Sequence, residues 1–337
     1  MATLTFLGAT GTVTGSKYLL KVNKSSILID CGLFQGLKEL RLRNWAPLSI
    51  DLAELDAVVL THAHIDHSGF LPRLVKQGFN KTVYCTEATR DLLEIMLLDS
   101  AYLQEEDARY ANKKGISKHK PALPLYTIED AKKAISLLKG VPYDSSFRVA
   151  PDLEVTFRDA GHILGSAFVL VEWSTAGQKR KIVFSGDLGR YKRPILKDPA
   201  TIGDADYLLI ESTYGNRLHG QSDPGEELKR IINQTVRRKG VVLIPAFAVG
   251  RTQELIYRIR ELEDAGEIPV LPVYIDSPMA IKATRLYEKY NDLYDTKASA
   301  LDEKGSEILQ TKRMELTESV DESKRINALD EPCIIIS

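Results

Sequence analysis

The 337 residues contain no apolar run of membrane-spanning length. The N-terminal stretch MATLTFLGATGTVTGS has neither the charged segment nor the apolar segment of a secretory signal. Cysteine is scarce. Cys31, Cys85 and Cys333 are an odd number with no C-x-x-C spacing, which argues against a disulfide framework and for a reducing compartment. Neither sign of charge is in excess. A formal charge of −1 argues against wholesale coating of a polyanion and leaves nucleic-acid contact to local basic patches. There is no internal repeat and no low-complexity tract. These absences predict a cytoplasmic globular protein with no membrane attachment, and the length predicts two domains.

What is present reads first as short strands punctuated by glycine: TLTFLGA, SKYLLKV, SSILID and DAVVLT. FLPRLVKQG has helical spacing with a glycine stop, and TVYCT is the next strand. Helical spacing runs from Ala88 to about Tyr110, followed by a polar, basic loop, NKKGISKHKPALPLY. A helix is expected from Ile128 to Lys139, then strands in LEVTFRDAGH, SAFVLVEWS, KIVFSGD and YLLIEST. After Glu211 the rhythm changes. Helical EELKRIINQTVRRKG, RTQELIYRIRELEDAG and PMAIKATRLYEKY alternate with the buried strands GVVLIPAFA and PVLPVYIDS. Such alternation predicts βαβ units and a parallel sheet. The last 40 or so residues read as polar and helical, ending in the apolar CIIIS.

The stretch LDAVVLTHAHIDHSGFLPRL concentrates chemistry. His62, His64, Asp66 and His67 occupy six positions at the end of a predicted strand, although the whole chain has only six histidines. Imidazoles and carboxylates bind zinc, and His62 and His64, two apart on leaving a strand, can share one ion. Asp66 and His67 can face a second. Four residues do not complete two sites, so further ligands are expected at other strand ends. His162 lies in the glycine-flanked loop of RDAGHILGS, and Asp187 follows the strand KIVFSGD. Alone, each would be an ordinary turn residue; together with the cluster, Asp187 could bridge two metals. Asp30, ending SSILID, could orient the histidine turn by hydrogen bonds.

THAHIDH, with Asp30, His162 and Asp187 in that order, resembles the metallo-β-lactamase superfamily of metal-dependent hydrolases. The resemblance implies an α/β (α+β) fold, the αββα sandwich. Carried over by position, His62, His64 and His162 would hold one Zn2+ ion, Asp66 and His67 the other, with Asp187 bridging. LLIESTYGNRLH, FAVGRTQE and YIDSPMA, with GATGTVTGS and DCGLFQG, resemble the β-CASP group within it. These are nucleases that include ribonucleases and the cleavage and polyadenylation endonuclease. The resemblance implies a metallo-β-lactamase part over 1–211 and an inserted, incomplete β-CASP domain over 212–337. It implies a two-zinc ribonuclease acting on single-stranded RNA, with DNA and a homodimer left open. The catalytic assignments are Asp66, Asp187 and Glu211, the last in the group's first β-CASP motif.

FAVGRTQE and YIDSPMA each join a strand to a helix start, whose free N–H groups favour a phosphate. Arg251 can add a bidentate contact, and Ser277 is expected to cap its helix. Each turn taken singly also reads as plain capping. The basic run from Arg109 to Lys120, with Lys113 and Lys114, is either a solvated face or a phosphate contact. His219 is a further substrate-contact candidate. The group's downstream motifs supply two more histidines, and no histidine follows His219. The sequence therefore reads as part of a longer protein, with residues 1–337 by themselves expected to show little nuclease activity. Alternatives are a small-molecule hydrolase of thioesters or lactones, and a non-catalytic RNA-binding fragment.

Overall fold

Strands form where apolar side chains alternate or run together, and among the described residues they build three sheets, of which the first two share a core. The first has the order β1 (Ala2–Phe6), β2 (Tyr18–Val22), β3 (Ser25–Ile29), β4 (Ala57–Val59), β5 (Val83–Thr86) and β6 (Leu138–Val141). It is antiparallel from β1 to β3 and parallel from β3 to β6. Its parallel strands β3 and β4 are buried on both faces, hence the near-continuous apolar run. The second sheet comprises β7 (Ser146–Ala150), β8 (Leu153–Asp159), β9 (Ala167–Thr175), β10 (Gln178–Phe184) and β11 (Tyr207–Leu209), in reverse spatial order. Ile27, Ile29 and Val59 of the first sheet share one core with Val155, Phe157, Val169, Val171 and Phe184 of the second.

The computed structural model describes residues 2–175, 177–218, 220 and 223–337. Both of these sheets lie in a first unit that takes in the chain up to Arg190 together with Pro199–Thr213. Its helices are α1 (Lys38–Arg43), α2 (Ile65–Ser68), α3 (Leu71–Lys76), α4 (Glu87–Lys114) and α5 (Ile128–Ile135), and α4 packs on β5 and β6. The second unit takes in Tyr191–Asp198 and Tyr214–Ser337. Its parallel sheet has the order β12 (Val242–Ile244), β15 (Ile334–Ile336), β13 (Val273–Ile275), β14 (Met314–Leu316). Among the described residues its α-helices are α6 (Pro224–Arg237), α7 (Arg251–Asp264), α8 (Pro278–Lys289), α9 (Thr296–Asp302) and α10 (Val320–Ile326). The 191–198 excursion is tied in by the Asp295 N–H, which donates to the Ile195 carbonyl at 2.7 Å, and by Lys197 on the Asp292 carbonyl. Among the described residues no helix is long and apolar enough to cross a membrane.

Three sequence expectations need correction. Asn112–Lys114, expected to open a loop, is instead the last turn of α4, which continues until Gly115 enters the left-handed region at φ 64°. Lysines at a helix C-terminus also complement its dipole. The helix expected from Ile128 to Lys139 stops at Ile135, and Leu138–Val141 instead pairs in parallel with β5. Its sequence, LKGV, lacks alternation, so tertiary pairing decides it. The polar tail is helical in α9 and α10 but also contains β14.

Candidate metal centre

The candidate ligand residues all follow strands of the first unit or sit on the helix after one of them. His62 and His64 follow β4, Asp66 and His67 sit on α2, His162 lies between β8 and β9, and Asp187 follows β10. His62, His64, His162 and Asp187 offer ligand atoms that all lie within 4.8 Å of one another. His64 Nδ1 is 3.2 Å from both His62 Nε2 and His162 Nε2. Asp187 Oδ2 is 3.7 Å from His62 Nε2 and 3.4 Å from His162 Nε2. Ligands about 2.0–2.1 Å from a tetrahedral ion lie about 3.3 Å apart, so the four atoms have the spacing of one such shell. On the other side, His67 Nε2 is 3.1 Å from Asp187 Oδ1 and 3.8 Å from Asp66 Oδ2. The two oxygens of Asp187 thus face two different groups of ligand atoms.

The electrostatics suit a cation. Burial, and then the neighbouring imidazoles, hold the His62 pKa well below its ordinary value, and burial lowers that of His64 to about 4. Both rings are therefore neutral, with lone pairs free to coordinate. His67 behaves oppositely: burial lowers its pKa, but the Asp30 and Asp187 carboxylates outweigh this and raise it well above the ordinary value. Burial works against the Asp187 carboxylate too, yet the hydrogen bond and charge of His67 hold its pKa at about 2. Burial raises the Asp66 pKa.

A polar frame holds the turn in place. Asp30, 1% exposed and at φ 59°, accepts from the His67 Nδ1–H at 2.7 Å and from the Ser16 hydroxyl at 3.0 Å. The positive φ is a strained conformation that aspartate tolerates better than most residues. Three backbone N–H groups dock the α2 carbonyls: Leu33 on Ile65, Ser16 on Asp66 and Cys31 on His67. Gly32 allows the approach, since a Cβ there would lie 1.6 Å from the Asp66 carbonyl oxygen. Beneath the turn, the buried Lys17 ammonium donates to the Gly15 and Gly32 carbonyls and lies 4.6 and 5.1 Å from the Phe34 and Phe70 ring centres. Burial lowers its pKa to about 8. Ser16, Lys17 and Thr61 are not among the residues the sequence singles out, although Thr61 opens THAHIDH, Ser16 closes the glycine-rich GATGTVTGS and Lys17 follows it.

The remaining candidates are divided between the two units. The Glu211 carboxylate accepts from the Thr213 N–H at 2.9 Å, while its own N–H donates to the Ser185 hydroxyl, two residues before Asp187. Lys113 and Lys114 are exposed on the last turn of α4. In the second unit, Arg251 opens α7 and pairs with Glu254 at 2.9 Å. The Ser277 hydroxyl caps α8 by accepting from the Ala280 N–H at 3.3 Å. His219 lies outside the described residues.

Comparison with known proteins places these features in context. The model of the metallo-beta-lactamase superfamily matches residues 10–218, and that of the Beta-Casp domain matches 252–337. Ribonuclease TTHA0252 of Thermus thermophilus is 36% identical over 331 residues, covering 98% of this chain and 71% of that protein. Transcription termination factor FttA of Methanosarcina mazei is 34% identical over 99% of this chain and 51% of its own length. FttA of Methanocaldococcus jannaschii is 31% identical, again with 99% and 51% covered. The chain thus spans about half the length of these termination factors. A crystal structure of a protein of unknown function from Enterococcus faecalis V583 shares the fold at a TM-score of 0.50 and 14% identity, over 99% of this chain and 87% of that one.

Proposed function

Because this chain belongs to the metallo-beta-lactamase superfamily and carries a Beta-Casp domain, we propose that it forms the metal-binding part of a ribonuclease that hydrolyses phosphodiester bonds of single-stranded RNA with two zinc ions. The division of Asp187 between two ligand groups is the observation behind this reading. His62 Nε2, His64 Nδ1, His162 Nε2 and Asp187 Oδ2 would hold the first ion. Asp66, His67 Nε2 and Asp187 Oδ1 would hold the second, with coordination left over. Imidazole and carboxylate donors without thiolate fit zinc. When bound, two ions supply Lewis acidity toward phosphoryl oxygens and lower the pKa of an attacking water.

The chain's own residues do the rest. Asp30, and the Ser16, Cys31 and Leu33 N–H groups that donate to the α2 carbonyls, hold the candidate ligands in place. Asp66, beside His67 at 3.8 Å, would accept a hydrogen bond from the attacking water and so orient it. Glu211 serves as a candidate proton carrier once freed from the Thr213 N–H. Arg251, Ser277, Lys113 and Lys114 are the candidate phosphate contacts. RNA is favoured as substrate by the relative named a ribonuclease and by the two strand-to-helix turns of the parallel sheet in the second unit. A small thioester or lactone substrate would need neither.

The test compares residues 1–337 with the longest chain its gene encodes. Both are incubated with end-labelled single-stranded RNA, with DNA of the same sequence and with a thioester, each with and without zinc. Zinc-dependent RNA cleavage by the longer chain is expected, falling about 10²–10⁴-fold in Asp66→Ala. Thioester hydrolysis without RNA cleavage would replace this reading with the small-molecule one.

A further inference from the structure

Thr61 is 1% exposed and touches every loop that carries a ligand. Its hydroxyl lies 3.0 and 3.1 Å from the two Asp30 oxygens and 3.0 Å from His62 Nδ1. Its N–H donates to Asp30 Oδ1 at 2.8 Å. Its carbonyl accepts from the Ala167 N–H at 2.8 Å, which closes the loop bearing His162. Gly186, at φ +52°, packs directly on its side chain, since a Cβ there would lie 2.7 Å from the Thr61 Cβ and 2.8 Å from its Oγ1. That glycine sets the direction of Asp187.

We propose that Thr61 is the positioning residue of the metal centre, linking an imidazole of the first ligand group to the carboxylate that orients an imidazole of the second. A hydroxyl has one proton and spare lone pairs. With the proton donated to Asp30, the oxygen faces His62 Nδ1 as an acceptor, so Nδ1 carries its hydrogen and the Nε2 lone pair points into the cluster. Asp30 receives the His67 Nδ1–H directly. One buried carboxylate thus keeps the His67 hydrogen on Nδ1 by contact and the His62 hydrogen on Nδ1 through Thr61. A β-branched side chain suits this, because its χ1 is stiff. Its methyl and hydroxyl also have separate duties, one toward packing and one toward His62.

Two substitutions separate those duties. Thr61→Val keeps the shape and removes the hydroxyl; Thr61→Ser keeps the hydroxyl and removes the methyl. This inference rests on the cluster being a metal site, so zinc affinity is measured first in the wild type, by competition with a chromophoric chelator. Thr61→Val is expected to weaken zinc at the first site, which His62 would serve, about 10–100-fold, the usual effect of losing a hydrogen-bond partner of a ligating histidine. Thr61→Ser should retain most of the affinity. Nitrogen chemical shifts of the metal-free wild type should show His62 with its hydrogen on Nδ1, a readout that stands even if Thr61→Val fails to fold. Wild-type affinity in a folded Thr61→Val, or a hydrogen on Nε2 of His62, would overturn the proposal while leaving the metal site intact. No zinc binding by the wild type would instead remove the metal-site reading on which it rests.

Discussion

His67 Nε2 lies 3.1 Å from Asp187 Oδ1, while its Nδ1 lies 2.7 Å from Asp30 Oδ2. An imidazole between two carboxylates holds a proton tightly, and that proton sits where the second ion would bind. Proton and ion are therefore competitors for the same nitrogen.

Zinc uptake at the second site should release about one proton near neutral pH, with affinity falling about tenfold per unit of pH decrease while metal-free His67 stays protonated. The dependence flattens once pH exceeds the raised His67 value. His62 and His64, whose pKa values are lowered, contribute nothing at neutral pH because they are already neutral. For the metal-free fold the sign is opposite. Charged His67 contributes stability that is complete below the ordinary value of 6.5 and lost as pH rises through the folded value. Calorimetry in buffers of differing protonation enthalpy counts the released proton; a count of zero would contradict this account.

Removing the charge of Asp187 should affect both ions unequally. Asp187→Asn retains the shape of the side chain but deprives His67 of its carboxylate neighbour, so the second zinc is expected to be lost and the first weakened. His64→Ala removes the nitrogen that lies 3.2 Å from both of its partners and should release the first. Elemental analysis after gel filtration distinguishes them, and two ions retained by Asp187→Asn would exclude its bridging position.

Gly32→Ala places a methyl group where the Asp66 carbonyl oxygen stands. Because the conflict is with backbone, α2 must shift, at a cost of about 1–3 kcal/mol or more. Denaturant unfolding should show that loss together with weaker zinc binding. An unchanged midpoint would mean that the turn is not clamped as described.

RNA affinity should fall steeply with salt, and each lost phosphate contact should flatten the logarithmic slope by about 0.7. Arg251→Ala and the double change Lys113→Ala, Lys114→Ala test the two candidate basic contacts separately by filter binding across a salt series. A slope untouched by either change would remove those residues from the RNA path.

Much of this cluster was legible in the sequence because its candidate ligands are reactive residue types at strand ends, where β4, the β8–β9 loop and β10 deliver them. The frame was harder to see. Ser16, Lys17 and Thr61 are ordinary residues whose roles depend on partners distant in the chain: Ser16 meets Asp30, and Lys17 reaches Gly32. Secondary structure failed for the same reason at β6, where pairing with β5 overrides a helical pattern. At α4 the error was one of composition: polarity after Tyr110 suggested a loop, whereas the helix simply continues to the glycine at 115.

The parallel sheet of the second unit has a consequence for biosynthesis. Its strands emerge from the ribosome in the order β12, β13, β14, β15, yet β15 lies between β12 and β13 and pairs with both. Until Ile334–Ile336 has been made, the nascent sheet has a gap at its centre, with a row of unpaired amides facing it from each side. The sheet is completed only when this central strand is in place, and removing Ile334–Ile336 would split it in two rather than trim its edge.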